Sequence, residues 1–233
     1  MKKILLIHSA AYPQGHLNND YQVRRSDYLS SFYHVLRHKD KFDHIWIVET
    51  FSKSPVDFLD NCGIPVFYSP FANNRSLSMN EILHTKEFVD QDWIEDDDII
   101  IKLTGRYILY DTRILDYFKD DIDFVAKDSD DLWKWASHVN DEYGNGGVHT
   151  FLYGFRKKFF KEIVDFANYL NKPGKNDKLQ IEHLVKRITW NRPNCIILNK
   201  DEKIGVITCM FNHRNDIGTT NYYVGSNFLR VFV

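Results

Sequence analysis

Short apolar runs alternate with helix-periodic segments through the first half of this 233-residue chain, and this alternation restricts the possible folds more than any other feature. We predict strands at 3–9, 42–50, 65–68, 98–109 and 123–126, and helices at 27–38, 55–61, 78–89 and 113–118. A strand–helix–strand order of this kind gives a mostly parallel sheet with right-handed crossovers. The chain is therefore predicted to be an α/β protein whose ligands lie at the carboxyl ends of the strands.

The second half of the chain is less regular. Helices are predicted at 157–170 and 177–188, and strands at 194–198 and 203–208. Residues 128–150 are polar, aromatic and glycine-bearing, which predicts a long functional loop or a small antiparallel region. Because no linker or internal repeat interrupts the sequence, we treat 1–233 as a single domain with two halves, 1–127 and 128–233.

Composition excludes several classes of protein. The net charge of -2 comes from 30 basic and 32 acidic residues, so a broad nucleic-acid-binding surface is not expected. Three widely spaced cysteines do not predict a disulfide framework or a zinc site, and they fit a reducing compartment. No apolar run approaches 18 residues, and the short run at the N-terminus fits a first strand better than a signal peptide. No G-x-S-x-G motif is present.

The strongest apolar strand ends in a segment that can carry chemistry. After Ile99–Ile101 the chain continues Lys102-Leu-Thr104-Gly105-Arg106-Tyr, which brings two basic side chains to the sheet edge. Such a pair can hold a diphosphate through charge-assisted hydrogen bonds. The glycine would let a ligand approach the backbone closely. The alternative is an ordinary strand end with two basic side chains that reach solvent.

The segment IIIKLTGRYIL resembles the central segment of GT-A type nucleotide-sugar glycosyltransferases, found in polysaccharide-building and chlorovirus-like enzymes. Downstream, HTFLYGFRKKFFKEI resembles the start of their acceptor-side region, and QIEHLVKRI the helix that often carries their catalytic acid. The similarity covers most of 1–190 in order and spacing. It implies a GT-A-like, mostly parallel Rossmann-type sheet flanked by helices. It also implies a nucleotide-sugar-binding half at 1–127 and an acceptor-side half, irregular or antiparallel in part, at 128–233.

The metal motif departs from the GT-A pattern. These enzymes usually place D-x-D after the central strand, where two carboxylates hold Mg²⁺ or Mn²⁺ against the donor diphosphate. This chain has Thr104-Gly105-Arg106 there. Arg106 and Lys102 could neutralise the diphosphate directly, or Asp128 and Asp130 could supply the carboxylates. An acidic turn in contact with solvent is the third interpretation of the aspartates.

Two further residues are candidates on the acceptor and metal sides. Glu182 on the predicted helix 177–188 could act as the general base that deprotonates an acceptor hydroxyl, with Asp130 as a second catalytic candidate. The alternative for Glu182 is an ordinary surface ion pair with Lys186. His213 follows an apolar strand and could bind the metal or the diphosphate, or it could be a loop histidine without a role.

The base and ribose of the donor are expected at the first strand ends. Ser9 ends the first predicted strand and Glu49 lies at the end of the second, where an acid can hold ribose hydroxyls. Asn74 and Arg75 follow the third and could add contacts.

The main hypothesis is transfer of a hexose or deoxyhexose from a nucleoside-diphosphate sugar to a glycan or lipid-linked glycan. A UDP-sugar is the favoured donor, Mn²⁺ or Mg²⁺ the expected cofactor, and the cytoplasm, or its membrane surface, the expected location. Nucleotidyl transfer is an alternative, although such enzymes normally open with a glycine-rich loop, and HSAAYPQGHLNND after the first strand has one glycine. A non-catalytic carbohydrate- or protein-binding module is the other alternative to sugar transfer.

Overall fold

The computed structural model describes residues 1–11, 19–52, 55–70, 77–128, 147–170, 181–199, 202, 204–208, 219–224 and 227–232. Within this part, eleven strands are β1 (Lys3–Ser9), β2 (His44–Glu49), β3 (Val66–Tyr68), β4 (Ile99–Thr104), β5 (Tyr107–Leu109), β6 (Phe124–Lys127), β7 (Leu152–Arg156), β8 (Cys195–Leu198), β9 (Val206–Thr208), β10 (Thr219–Val224) and β11 (Asn227–Phe232). The helices are α1 (Asn19–Leu36), α2 (Asp57–Asp60), α3 (Leu77–Val89), α4 (Lys157–Leu170) and α5 (Ile181–Thr189), with short 3₁₀ helices at Lys39–Lys41 and Arg113–Tyr117.

Seven strands form one sheet in the order β3-β2-β1-β4-β7-β6-β8. β1 pairs in parallel with both β2 and β4, and β6 pairs in parallel with β8. β7 runs antiparallel to both of its neighbours, β4 and β6. The predicted mostly parallel α/β sheet is therefore confirmed, with one strand reversed inside it.

The sheet is covered on both faces because its central strands are apolar at successive positions, which point to opposite sides. Ile4 and Leu6 pack in the cluster that includes residues of α3, α4 and α5. Leu5 and Ile7 pack in the cluster that includes residues of α1 and α2. All four side chains are fully buried, so β1 is held between two hydrophobic layers.

Two small antiparallel pairs lie outside the main sheet, β5 with β9 and β10 with β11. Three of these four strands belong to the second half of the chain, where sequence predicted irregular or antiparallel structure. None of the helices within the described residues is both long enough and apolar enough to cross a bilayer.

Candidate functional site

The carboxyl ends of β1, β2 and β4 meet at one edge of the sheet. In the strand register Ser9 lies opposite Glu49, and His8 lies opposite Thr104. A cavity of about 550 Å³ opens at this edge. Five of the predicted site residues line it, namely Ser9, Lys102, Thr104, Arg106 and Glu182. Residues from distant parts of the chain are thus brought together where a parallel sheet is expected to bind its ligand.

Lys102 is the centre of a buried polar network. Its ammonium group lies 2.5 Å from a carboxylate oxygen of Glu81 on α3 and donates to the Thr104 hydroxyl at 3.0 Å and the Thr150 carbonyl at 2.7 Å. The ring of Tyr153 lies 5.4 Å below it. Three oxygen partners match the three protons of the ammonium group, and its side chain is only 1% exposed. Lys102 therefore contributes a fixed positive charge beneath the cavity.

Glu81 is the carboxylate whose charge the Lys102 ammonium group balances. Burial raises the pKa of its carboxyl group, and the positive charge of Lys102 opposes that rise. The negative charge of Glu182, which lines the same cavity, raises the pKa further. Sequence analysis did not select Glu81, because its distance of 21 positions from Lys102 gives no local signal.

Arg106 is oriented by a buried carboxylate on α1. Its Nε donates to Asp27 Oδ2 at 2.8 Å, and its Nη2 lies 2.6 Å from the same oxygen. Asp27 is completely buried, whereas Arg106 is 16% exposed and lines the cavity. This geometry supports the interpretation of Arg106 as a positioned cation over that of an arginine that simply reaches solvent.

Arg24 is a second guanidinium in the cavity, and sequence analysis missed it. It lies on α1 one turn before Asp27. The helix begins at Asn19, earlier than the predicted start at residue 27. Within the described residues its hydrogen bond is a long one, from Nη1 to the Ala10 carbonyl at 3.4 Å. Its remaining donors can therefore reach a ligand.

A glycine is needed at position 105 for close packing, and not for the ligand approach that the sequence predicted. Its N–H donates to the His8 carbonyl at 2.8 Å, and a Cβ at this position would lie 2.7 Å from that oxygen and 2.6 Å from the Tyr28 ring. The space next to Gly105 is therefore filled by the protein itself. The prediction that this glycine admits a ligand does not fit these contacts.

We predict that Gly105→Ala destabilises the protein by about 1–3 kcal/mol, because the added methyl group must displace backbone or a buried ring. Urea unfolding of wild type and variant measures the loss. An unchanged unfolding midpoint would contradict the close contact of β1, α1 and the chain after β4.

Glu182 lies in the first turn of α5 and faces the cavity. Its Oε1 accepts a hydrogen bond from the Thr150 hydroxyl at 2.9 Å. The predicted alternative, a surface ion pair with Lys186, is not observed, since Lys186 instead lies 3.2 Å from Asp128. The carboxylate of Glu182 is thus held by a neutral donor, which leaves its charge available to a substrate.

An aromatic row forms another wall of the cavity. The rings of Tyr107 and Phe151 stack with centroids 4.9 Å apart, and His149 packs on Phe151 at 4.4 Å. Burial, with a smaller contribution from the charge of Lys127, lowers the pKa of His149 to about 4, so this ring is neutral near pH 7. Sequence analysis placed 149 and 151 in a functional loop or the acceptor-side segment without selecting them. Flat rings of this kind suit the C–H face of a sugar.

His8 is a buried neutral side chain at the back of the cavity. Its Nε2 lies 2.9 Å from the Thr85 hydroxyl. Burial lowers its pKa well below the usual value, and the charge of Lys102 adds to that shift. His8 therefore supplies a hydrogen-bonding group without charge.

Glu49 has an environment that suits a structural role. It is completely buried, and its carboxylate accepts the backbone N–H groups of Ala11, Phe51 and Ser52 at 2.9 to 3.3 Å. Burial raises its pKa, and these hydrogen bonds oppose the rise. Glu49 fixes the loops after β1 and β2, and its side chain is not part of the cavity lining. A direct contact with the ribose is not what this position offers.

The described carboxylates do not match a divalent-cation site. Asp128 pairs with Lys186, and its side chain is absent from the cavity lining. Glu81 and Glu182 do line the cavity, but a metal ion at Glu81 would be repelled by the Lys102 ammonium group. No group of three or more histidine, cysteine or acidic side chains suited to a metal occurs among the residues that the structure describes. Asn74, Arg75, Asp130 and His213 lie outside the described residues, so their assignments stay predictions.

No protein-family model matches the sequence, and no curated protein matches it. Solved structures do match. A protein assigned as a nucleotide-diphospho-sugar transferase from Desulfovibrio desulfuricans G20 has a TM-score of 0.52 at 12% identity, covering 84% of this chain and 79% of that one. The 4-diphosphocytidyl-2C-methyl-D-erythritol synthase of Anaerococcus prevotii DSM 20548 has a TM-score of 0.50 at 11% identity, and the match covers 85% of this chain and 86% of that one. The glycosyltransferase GlyE of Streptococcus pneumoniae TIGR4 has a TM-score of 0.50 at 10% identity, and the match covers 84% of this chain and 45% of that one.

These likenesses confirm the predicted fold. The chain has the GT-A type α/β architecture, which sugar transferases and a nucleotidyltransferase both use. At such low identity the matches concern the fold alone, and what the site does must be argued from its residues.

Proposed function

We propose that this protein transfers a sugar from a nucleoside-diphosphate sugar to a hydroxyl group of a glycan or lipid-linked glycan. One observation carries the proposal. A single cavity at the strand ends of a GT-A fold holds two guanidinium groups and a carboxylate, Glu182, whose only described hydrogen bond comes from a neutral hydroxyl. Cations for a leaving diphosphate and a base for an incoming hydroxyl are the two groups that such a transfer requires.

The chemistry can be assigned to particular groups. Glu182 accepts the proton of the acceptor hydroxyl while the oxygen attacks the anomeric carbon, with Asp130 as the second candidate for this role. The bond between the anomeric carbon and the diphosphate oxygen breaks, and its electron pair leaves with the diphosphate. Arg106 stabilises that developing negative charge, while Lys102, whose charge is matched by Glu81, holds the Thr104 hydroxyl beside it.

The remaining groups would position the two substrates. The Ser9 and Thr104 side chains, at neighbouring strand ends, line the donor side of the cavity, and Asn74 and Arg75 are proposed to contact the nucleotide. The aromatic row of Tyr107, Phe151 and His149 offers a face for the acceptor sugar. A UDP-sugar is the proposed donor.

Nucleotidyl transfer is the second candidate, favoured by the structural likeness to the 4-diphosphocytidyl-2C-methyl-D-erythritol synthase. Those enzymes must hold a nucleoside triphosphate, for which this chain offers a single glycine in the predicted loop after β1. Glu182 has no evident task in that reaction, because a phosphate oxygen needs no general base. Sugar transfer therefore accounts for more of the observed site.

The test is a product analysis with a panel of UDP-, GDP-, dTDP- and CMP-sugars, with and without glycan acceptors. Release of a nucleotide together with a heavier acceptor, detected by mass spectrometry, is the expected result. Pyrophosphate release from a nucleoside triphosphate and a sugar phosphate would instead establish the nucleotidyltransferase. Sugar binding without either product would establish a binding module.

A further inference from the structure

We infer that this protein holds the diphosphate of its donor with the guanidinium groups of Arg24 and Arg106, in the role that a divalent cation has in most proteins of this fold. The inference rests on the proposed function, and it adds how the diphosphate is recognised. It also adds a residue, Arg24, that sequence analysis did not select.

The charged side chains of the cavity wall do not suit a metal ion. Its described charged side chains are the positive Arg24, Lys102 and Arg106 and the negative Glu81 and Glu182, three against two. Glu81 is already matched by Lys102 at 2.5 Å. Arg106 is likewise matched by Asp27, behind the wall. Arg24 and Glu182 remain, so the described wall offers one carboxylate without a cationic partner, whereas a divalent-cation site needs several.

The two arginines converge on the same cavity. Arg24 comes from α1 and Arg106 from the chain after β4, and both line the same cavity. Arg24 donates to the Ala10 carbonyl at 3.4 Å. Arg106 follows Gly105, whose N–H donates to the His8 carbonyl at 2.8 Å. The charges of both arginines also oppose the rise that burial causes in the pKa of the Tyr28 hydroxyl. The Tyr28 hydroxyl itself accepts the N–H of Ala10, the residue after β1. The pair therefore lies at the β1 end of the cavity.

The two arginines differ in how they are held. Asp27 holds two nitrogens of Arg106 at 2.8 and 2.6 Å, which fixes the plane of its guanidinium group. Arg24 has the single long hydrogen bond to Ala10 within the described residues. One preset donor and one adjustable donor can each present two N–H groups to phosphate oxygens, a geometry that a lysine does not provide.

The experiment measures binding by titration calorimetry, so it does not depend on turnover. UDP, GDP, dTDP and inorganic pyrophosphate are titrated into the full chain in excess EDTA and, separately, in excess Mn²⁺. We expect at least one nucleoside diphosphate to bind in EDTA with an affinity that Mn²⁺ changes by less than about threefold. Arg24→Ala should weaken that binding by about 10- to 100-fold, and Arg24→Lys should restore only part of it.

Arg25→Ala is the matched control, because it removes the same charge from the neighbouring, exposed position of α1. Its affinity should stay within about twofold of wild type. Binding that requires Mn²⁺, or an Arg24→Ala variant with wild-type affinity, would overturn the inference and leave sugar transfer standing. Absence of nucleoside-diphosphate binding under both conditions would overturn the inference together with the proposed function.

Discussion

Replacing Glu182 by glutamine is expected to lower kcat for sugar transfer by about 100- to 10,000-fold. Glutamine has nearly the same shape and can still accept the Thr150 hydroxyl through its amide oxygen, so the geometry of the cavity should be kept. It cannot take a proton, which removes the proposed base. The affinity for a nucleoside diphosphate should change by less than about twofold, because the loss concerns the chemical step.

The control for this variant is Glu162→Gln. Glu162 lies on α4, is 51% exposed and pairs with Arg192, so the same chemical change occurs away from the cavity. Its kcat should equal that of wild type. A Glu182→Gln variant that retained wild-type kcat would remove Glu182 from catalysis and direct attention to Asp130, the other carboxylate selected from sequence.

Lys102→Met should destabilise the folded protein by about 3–5 kcal/mol, measured by urea unfolding at pH 7. The methionine side chain fills much of the same space but removes the ammonium group, so Glu81 is left as a charge without its partner. The Thr150 carbonyl also loses its described donor from Lys102. Lys161→Met, which breaks an exposed pair with Asp96, is the matched control and should leave the free energy of unfolding nearly unchanged.

A second substitution and the pH dependence distinguish the effect of the unpaired Glu81 charge from a simple loss of packing. The double variant Lys102→Met, Glu81→Gln should be more stable than Lys102→Met alone, because the isolated charge is gone. Without Lys102 the pKa of Glu81 should rise further above its usual value of 4.5. A carboxyl group whose pKa is raised by folding opposes folding when it is ionised. The loss should therefore be full at neutral pH and shrink as the pH falls toward 4.5, and a loss that is independent of pH would contradict it.

Sequence alone predicted the elements in which pattern and burial agree. The helix 157–170 was predicted with the bounds that the structure has, because its apolar residues recur at helical spacing and a proline follows soon after its end. The central strand was found because Ile99–Ile101 is apolar at successive positions. Residues that end such strands, Ser9 and Thr104 among them, were placed correctly by topology.

The features that sequence missed are those that depend on tertiary contacts. β7 was not predicted, because Leu152–Arg156 is short and joins a helix directly, without a turn that marks its end. Arg24 was overlooked because the first turns of α1 are polar and lack the apolar period of a helix. Glu81 and Lys102 belong to different elements, and no one-dimensional pattern connects them.

The position of β7 has a consequence for how the chain is synthesised and folds. On one edge β4 pairs with β1, which precedes it, but its other edge pairs with β7, which the ribosome adds about 50 residues later. Until then an apolar strand, Ile99–Leu103, presents unsatisfied backbone groups along that edge. During the interval between the emergence of β4 and β7, that edge is open to pairing with another chain. The reversed strand β7 covers the open edge of β4 and also joins β6 and β8 to the rest of the sheet.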